Sequence, residues 1–302
     1  MSPQATSGLP PGRSYAVLTM DVEDWYHLDY FARDRCDPAH SLLDGLETYR
    51  GILTAQGLES SFFVLGELAD RLATVLRELA EAGHDVGSHG WDHRRPLTMS
   101  PAQLGEDLRR SKRELEDTIQ RPVLGYRAPC FSLDRARLEE VRAAGHAYDS
   151  SRIDFGAHPL YGTLDMQGFE PVQDGVFRQG AFVEFEVSTL KLFGKRVPVS
   201  GGGYLRLIPW PLMRGLIGRY LALHRLYVLY IHPFELSLGA VPPLPSGTGR
   251  LTRYRFSAGR AKVGDRLQRL IALLRHRGFE FTTFARLRAG LAATAAEIIQ
   301  GT

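Results

Sequence analysis

Residues 16–24 read AVLTMDVED, an apolar run that ends abruptly in three acids. The apolar part is typical of a strand buried on both faces of a parallel sheet. Acidic side chains at the exit of such a strand are how α/β enzymes place their chemistry, because the carboxyl ends of parallel strands meet at one edge. The sequence therefore predicts an α/β fold whose functional site begins at Asp21.

Strand and helix patterns alternate with short links up to Asp149. Strands are predicted at residues 61–65, 84–89 and 123–127. Helices are predicted at residues 42–55, 70–82, 100–120 and 134–144. Ser100 is an expected N-cap before Pro101, and Gly83 is an expected helix stop. This alternation predicts parallel βα units that close toward a barrel.

Regular patterning weakens after Asp149. Residues 150–205 contain many glycines and prolines, and the triplet at 201–203 indicates unusual backbone angles or a close approach. Short strand-like pieces occur there, such as residues 182–187. Regular order returns with a strand at 225–232, a helix at 264–277, a strand at 279–283 and a closing helix.

These patterns predict one domain over residues 15–302 with an insertion at about 150–225. Residues 1–14 are polar and lack the apolar core of a signal peptide, so we expect a disordered lead. The expected location is cytoplasmic, with the periphery of the inner membrane as an alternative.

Composition excludes several classes of protein. Hydrophobic residues make up 44% and charged residues 24%, which excludes a disordered or collagen-like chain. The net charge of +3 has both signs spread along the chain, so it gives no electrostatic argument for binding nucleic acid. Cys36 and Cys130 are the only cysteines, too few for a disulfide framework or a cysteine metal cluster.

The most apolar stretch, residues 204–232, does not predict a membrane span, because basic side chains interrupt it. Within it, residues 211–223 have the pattern of an amphipathic helix. Packing on the rest of the protein is the favoured interpretation, and peripheral contact with a membrane surface is the alternative. Nothing in the sequence indicates an oligomeric state.

Two histidines four residues apart, His89 and His93, follow the predicted strand at 84–89. Four-residue spacing on a helical turn puts both imidazoles within reach of one divalent cation. A pair of surface histidines without a metal is an equally good interpretation. The acids Asp21, Glu23 and Asp24 lie at another strand exit, where capping or solvated acids are the alternative. One carboxylate and two imidazoles leave open positions for water and substrate, which favours metal-assisted hydrolysis.

The same residues carry a resemblance to a known family. Four motifs occur in family order: residues 19–24, His89–His93, Arg127–Pro129 and Tyr230–His232. The chain resembles, over residues 17–284, the polysaccharide deacetylases with the NodB homology domain, carbohydrate esterase family four. It is most similar to the branch that opens with Asp-Val-Glu-Asp and occurs beside exosortase and exopolysaccharide systems.

The resemblance implies a distorted (β/α) barrel, TIM-like, of about seven strands, with a long insertion after the fourth or fifth βα unit. It implies an enzyme that removes acyl groups from N-acetylated sugars with a divalent metal. Asp21 would be the general base, held by Arg127, and His232 the general acid. Asp149 could orient Arg127 or His232.

The implied metal ligands are His89 and His93 with one acid of the first motif. The expected metal is zinc, with cobalt, nickel or manganese as alternatives. The family has adjacent acids in this motif, whereas Glu23 and Asp24 both follow Asp21 here. Strand alternation favours Glu23, and Asp24 takes the position if the chain has already turned at Val22.

The remaining expectations concern the substrate. The family's oxyanion N–H falls at Cys130, whose thiol we interpret as a packing group rather than a nucleophile. Trp25 and Tyr26 could stack on a sugar ring or belong to the core, and Tyr204 and Arg206 lie in the insertion where substrate contacts are expected. The predicted function is N-deacetylation of an amino-sugar glycan or precursor. The alternatives are hydrolysis of a cyclic amide, ureide or formamide, and a catalytically silent carbohydrate-binding protein of an exopolysaccharide complex.

Overall fold

The structure, a computed structural model, describes residues 13–156 and 158–300, with side chains as far as Ala292. Its strands are β1 Ser14–Val22, β2 Ser61–Val64, β3 Asp85–Ser88, β4 Gly125–Tyr126, β5 Tyr148–Asp149, β6 Glu170–Gln173, β7 Val176–Gln179, β8 Phe182–Phe185, β9 Thr189–Leu192, β10 Lys195–Pro198, β11 Leu226–Ile231 and β12 Phe279–Thr282. Its helices are α1 Gly45–Gln56, α2 Ala73–Glu81, α3 Pro101–Ile119, α4 Arg135–Ala143, α5 Gly202–Leu207, α6 Trp210–Leu223, α7 Pro233–Leu236, α8 Arg250–Ser257, α9 Val263–His276 and α10 Phe284–Gln300. The predicted disordered lead over residues 1–14 lies outside the described residues, apart from Arg13 and from Ser14, where β1 begins.

Local sequence signals set several helix ends. The Ser100 hydroxyl accepts a hydrogen bond from the Gln103 N–H, and the Gln103 side chain accepts one from the Ser100 N–H, which starts α3 with a capping box. Asp134 caps α4 with a single hydrogen bond, which its carboxylate accepts from the Arg137 N–H. Caps of this kind stabilise a helix by about 0.5–2 kcal/mol.

One curled sheet organises the described residues. Its strands have the order β11-β1-β2-β3-β4-β5-β8-β7-β6, and β12 also pairs with β1. The seven strands from β11 to β8 run parallel, whereas β8, β7 and β6 form an antiparallel meander. The result is a mixed α/β half-barrel, so the predicted barrel-like fold is confirmed.

The carboxyl ends of these parallel strands meet at one edge of the sheet. Asp21 pairs with Phe63 near the ends of β1 and β2. His89 follows β3, Arg127 follows β4 and His232 follows β11. Parallel pairing therefore brings polar residues from both ends of the chain to one place.

The predicted insertion at about 150–225 contributes a strand to the central sheet. Its strand β8 pairs in parallel with β5 and extends the central sheet. Val183 and Phe185 of β8 pack in one apolar cluster with Val17 of β1 and Phe284 of α10. Part of the predicted insertion therefore belongs to the central sheet, where burial stabilises β8 although its local sequence pattern is weak.

Helix α6 packs on the protein through one face. Met213 and Ile217 are buried in the largest apolar cluster, whereas Leu212 and Leu223 are exposed. The packing interpretation of residues 211–223 thus describes the inner face, and membrane contact stays a prediction for the outer one. Among the described residues, no helix is both long enough and apolar enough to cross a membrane.

Candidate active site

Glu23, His89 and His93 converge at the carboxyl edge of the sheet. One donor atom of each lies within 4.8 Å of the other two, and all three side chains are buried. Glu23 lies in a turn after β1, where its own N–H donates a hydrogen bond to the Asp21 carbonyl. His93 reaches back from left-handed backbone with a φ of 67°, which is rare for a residue other than glycine. The loop after β3 thus holds His93 in a strained conformation toward the other two donors.

His89 is oriented by the main chain. Its Nδ1 lies 2.7 Å from the carbonyl oxygen of Arg127. Because a carbonyl only accepts hydrogen bonds, Nδ1 carries the proton and Nε2 keeps a lone pair. Burial lowers the pKa of His89 to about 4, so its imidazole is neutral at neutral pH and suited to bind a metal.

Glu23 lies between two imidazoles. Its Oε2 is 2.7 Å from His93 Nε2, and its Oε1 is 3.5 Å from His232 Nε2. Burial alone raises the pKa of Glu23, but attraction to His93, His232 and His89 outweighs it and lowers the pKa to about 2. Oε2 is buried, and its contact with His93 Nε2 is not aligned as a hydrogen bond from any described residue should be. An ionised carboxylate with an unsatisfied oxygen beside two imidazoles fits a divalent cation.

Arg127 fixes the carboxylate of Asp21. Its Nη1 donates to Asp21 Oδ1 at 2.7 Å and to the Thr19 hydroxyl at 2.6 Å. Its Nε and Nη2 donate to the carbonyl and hydroxyl of Ser150 at 3.0 and 2.9 Å. The buried guanidinium also lies over the Phe63 ring at 4.3 Å. Four hydrogen bonds and contacts with two rings, those of Phe63 and Phe131, therefore fix the guanidinium, and through it the Asp21 carboxylate.

His232 completes the group. Its Nε2 faces Glu23, and its Nδ1 lies 3.3 Å from Glu235 Oε2. Burial lowers the pKa of His232, but Glu235, followed by Glu23 and Asp21, raises it to about 9. The imidazole is therefore protonated at neutral pH and able to donate a proton. The site thus combines three candidate metal ligands with the fixed carboxylate of Asp21 and the cationic imidazole of His232.

Asp24 points away from this group. Its Oδ1 accepts hydrogen bonds from the N–H groups of Trp25 and Leu42, both at 2.8 Å, and its Oδ2 accepts one from the Ser41 hydroxyl at 2.5 Å. These bonds cap the short 3-10 helix that follows and tie it to the chain before α1. The alternative with Asp24 as the metal ligand does not fit, whereas Glu23, in the turn after β1, lies with His89 and His93.

Asp149 does not take the expected orienting role. Among the described residues, its carboxylate accepts hydrogen bonds from Ser151 rather than from Arg127. The register of β5 and β8 places it beside the buried Glu184. Burial raises the pKa of Asp149, and burial followed by the charge of Asp149 raises that of Glu184 well above its ordinary value. Asp149 therefore pairs with the Glu184 carboxyl on the neighbouring strand, and not with Arg127 or His232 as expected.

The two aromatic residues after the acids lie apart from the site. Trp25 is fully buried and packs on Phe256, so stacking on a sugar ring is wrong for it. The 3-10 helix that begins at this residue turns its ring inward. Tyr26 lines a separate cavity of about 290 Å³ with Arg33 and Glu67, and none of the candidate metal donors reaches that cavity.

The two substrate contacts predicted in the insertion, Arg206 and Tyr204, differ from each other in their exposure. Arg206 is buried and donates to Glu235 at 3.1 Å and to the Ala258 carbonyl at 2.6 Å, so it is not available to a substrate. Tyr204 is partly exposed on α5, and burial and then the neighbouring Tyr30 raise its pKa. Tyr30 is 47% exposed. A substrate contact by Tyr204 stays a prediction.

Cys130 does not have the surroundings of a nucleophile. Its thiol donates to the Asp29 carboxylate at 3.0 Å. Burial, followed by that carboxylate, raises the pKa of the thiol well above its ordinary value, and a protonated thiol reacts poorly. Cys130 and Phe131 both have left-handed backbone, with φ of 53° and 52°, which marks a sharp turn after the Arg127 motif. The oxyanion role of the Cys130 N–H stays a prediction.

Ser150 and Glu235 contact the site but are not among the residues that the sequence predicts for it. Ser150 holds the guanidinium of Arg127, and Glu235 accepts from Arg206 and contacts His232. A usable signal existed only for Glu235, which stands three residues after His232 at a helix start, the spacing of a capping box.

Two family models match the chain. The model described as "Polysaccharide deacetylase" matches residues 44–148, which include His89, His93 and Arg127. The model described as "Domain of unknown function (DUF3473)" matches residues 150–289, which include His232.

Curated relatives and solved structures agree with the first model. A "Peptidoglycan deacetylase" of Helicobacter pylori is 27% identical over 104 residues, 34% of this chain and 36% of the relative. A "Peptidoglycan-N-acetylglucosamine deacetylase" of Bacillus cereus is 25% identical over 115 residues, 37% of this chain and 50% of the relative. The chain thus spans at most half the length of these two relatives.

The structure is also similar to a solved structure from Mycobacterium smegmatis that is described as a "putative polysaccharide deacetylase". The TM-score is 0.63 at 19% identity, over 98% of this chain and 96% of the other. At that identity the likeness shows a shared fold. The resemblance inferred from the motifs is therefore confirmed at the level of the family model: residues 44–148 match the polysaccharide deacetylase family.

Proposed function

We propose that this protein hydrolyses the N-acetyl amide of an amino sugar in a glycan or glycan precursor, with a divalent metal held by Glu23, His89 and His93. One observation carries the proposal: the three donors lie within 4.8 Å of one another, and both His232 and Glu23 belong to the same buried group. Amide hydrolysis needs an electrophile, a base and an acid around one carbonyl, and these residues supply that set.

A divalent cation bound there would polarise the acetamide carbonyl and make a water molecule more acidic. Asp21, held by Arg127, takes a proton from the attacking water. His232 then donates the proton on its Nε2 to the leaving nitrogen as the C–N bond breaks. The carboxylates that face His232 raise its pKa, so its imidazole carries the proton to be donated, while the Arg127 guanidinium holds the Asp21 carboxylate in place.

Zinc is the metal we propose first, since two imidazoles and one carboxylate form a common catalytic zinc set with open positions. Cobalt, nickel and manganese accept the same donors. The exopolysaccharide setting and the cytoplasmic location stay parts of the proposal.

Acetate release tests the function. The zinc-loaded protein is incubated with N-acetylglucosamine oligomers, with an N-formylated amino sugar and with a cyclic ureide, and the released acid or opened ring is quantified. We expect acetate from the oligomers as the dominant product. Release of formate, or ring opening, without release of acetate would show that the substrate is a formamide or a cyclic ureide rather than an N-acetyl sugar. Glycan binding without any hydrolysis would favour the catalytically silent carbohydrate-binding alternative.

A further inference from the structure

Glu235 connects His232 to a buried arginine. Its Oε2 accepts a hydrogen bond from the His232 N–H at 3.1 Å and lies 3.3 Å from His232 Nδ1. Its Oε1 accepts a hydrogen bond from Arg206 Nε at 3.1 Å. The side chains of Glu235 and Arg206 are 1% and 2% exposed, so little water competes for either contact.

The local fold explains how Glu235 reaches His232. Strand β11 ends just before His232, and α7 begins at Pro233, whose ring suits the first turn of a helix. Glu235 is the third residue of α7 and reaches back to the residue that precedes the helix. One ring nitrogen of His232 therefore faces Glu235, while the other faces Glu23 and the reacting centre.

The glycine triplet makes room for this carboxylate. A Cβ on Gly202 would lie 1.9 Å from Glu235 Oε2, and a Cβ on Gly201 would lie 2.7 Å from the Tyr230 hydroxyl. Both distances are shorter than real contacts allow, so any side chain at Gly202 would displace the carboxylate. The close approach predicted for the triplet is thus an approach to Glu235.

Arg206 is itself held on its far side. Its Nη1 donates to the Ala258 carbonyl at 2.6 Å, its Nη2 donates to the Arg255 carbonyl, and its guanidinium lies 5.7 Å from the centre of the Phe234 ring. These contacts fix the orientation of the guanidinium, with its Nε directed at Glu235. A buried carboxylate paired in this way keeps its charge and its position.

We propose that Glu235, fixed by Arg206, is a positioning residue that orients His232 and keeps its Nε2 proton directed at the leaving nitrogen. The segment matched by the domain of unknown function therefore completes the active site, since Arg206, His232 and Glu235 all lie within residues 150–289. This inference rests on the proposed function, because it assigns a partner to the general acid of that reaction.

A leaving-group comparison separates positioning from mere stabilisation. Amide cleavage sends the electron pair of the C–N bond to a nitrogen that must take a proton from His232. An aryl acetate releases a phenolate that needs no proton, so a poorly oriented His232 slows the amide selectively. A structural defect slows both substrates together.

The test variant is Glu235→Gln, assayed with N-acetylglucosamine oligomers and with para-nitrophenyl acetate. We expect kcat for the oligomers to fall by at least about tenfold with KM little changed, and kcat for the ester to stay within about threefold. Arg206→Lys should show the same selectivity and serves if Glu235→Gln does not fold. Glu186→Gln is the matched control, because it removes a partly buried pair with Arg152 in the same segment and should change neither rate.

Equal losses on both substrates, or no loss on either, would overturn the positioning role while the proposed function stands. Wild-type protein that hydrolyses neither substrate would overturn the proposed function, and the positioning role with it.

Discussion

Asp21→Asn is expected to lower kcat for acetate release from N-acetylglucosamine oligomers by about 10²- to 10⁴-fold, the range that a general base contributes. The amide keeps the size of the side chain and an acceptor for Arg127, but it cannot take a proton from water. KM should change little, because the proton is transferred only in the transition state. Steady-state kinetics of the wild-type and variant proteins check the expectation.

Two controls accompany Asp21→Asn. Bound metal should stay at the wild-type level, because Asp21 is not one of the three converging donors. The free energy of unfolding should fall, since Arg127 loses its ionised partner, and removing one partner of a buried pair costs up to about 3–5 kcal/mol. Activity within tenfold of wild type at equal metal content would contradict the role of Asp21 as the base.

Glu23→Gln and Asp24→Asn form a second, matched pair of variants. The two carboxylates are adjacent in sequence and both are buried, yet only that of Glu23 faces His89 and His93. Glu23→Gln should therefore weaken metal binding by more than the about 10–100-fold typical of residues that only support a ligand. Asp24→Asn should keep the metal and lower the free energy of unfolding by about 0.5–2 kcal/mol, because it alters a helix cap.

Elemental analysis after dialysis against limiting zinc, together with thermal unfolding, measures both quantities. Metal loss in Asp24→Asn with retention in Glu23→Gln would show that the chain binds the ion through the other acid. Equal retention in both variants would show that neither carboxylate is a ligand.

The parallel fold could be predicted because its signals are local. The apolar run ending at Asp21 and the caps at Ser100 and Asp134 act within a few residues of where they stand. Their succession was enough to indicate βα units. The β8 strand was harder to place, because its position in the sheet depends on pairing with β5 across a long connection rather than on its own pattern.

The order of the motifs predicted which residues meet, but not every orientation. Strand alternation favoured Glu23 over Asp24, and the outcome depends on where the chain leaves the sheet, which no local signal fixes. β1 ends at Val22, Glu23 meets the two histidines from the turn that follows, and the 3-10 helix after Asp24 turns Trp25 inward.

Residues that act through distant partners could not be assigned from the sequence. The position of Arg206 in the predicted insertion suggests substrate binding. Its side chain is instead buried by contacts with Glu235 and Ala258, both far along the chain. Asp149 likewise turns to Glu184 because of sheet register. Such contacts are tertiary, and spacing alone does not contain them.

Removal and return of the metal test the central claim most directly. Wild-type protein purified without chelator is assayed for metal content and acetate release, then dialysed against a chelator, and then supplied with zinc. The proposed site predicts one divalent metal per chain, loss of acetate release on chelation and recovery on return of the ion. Undiminished acetate release from metal-free protein would contradict it.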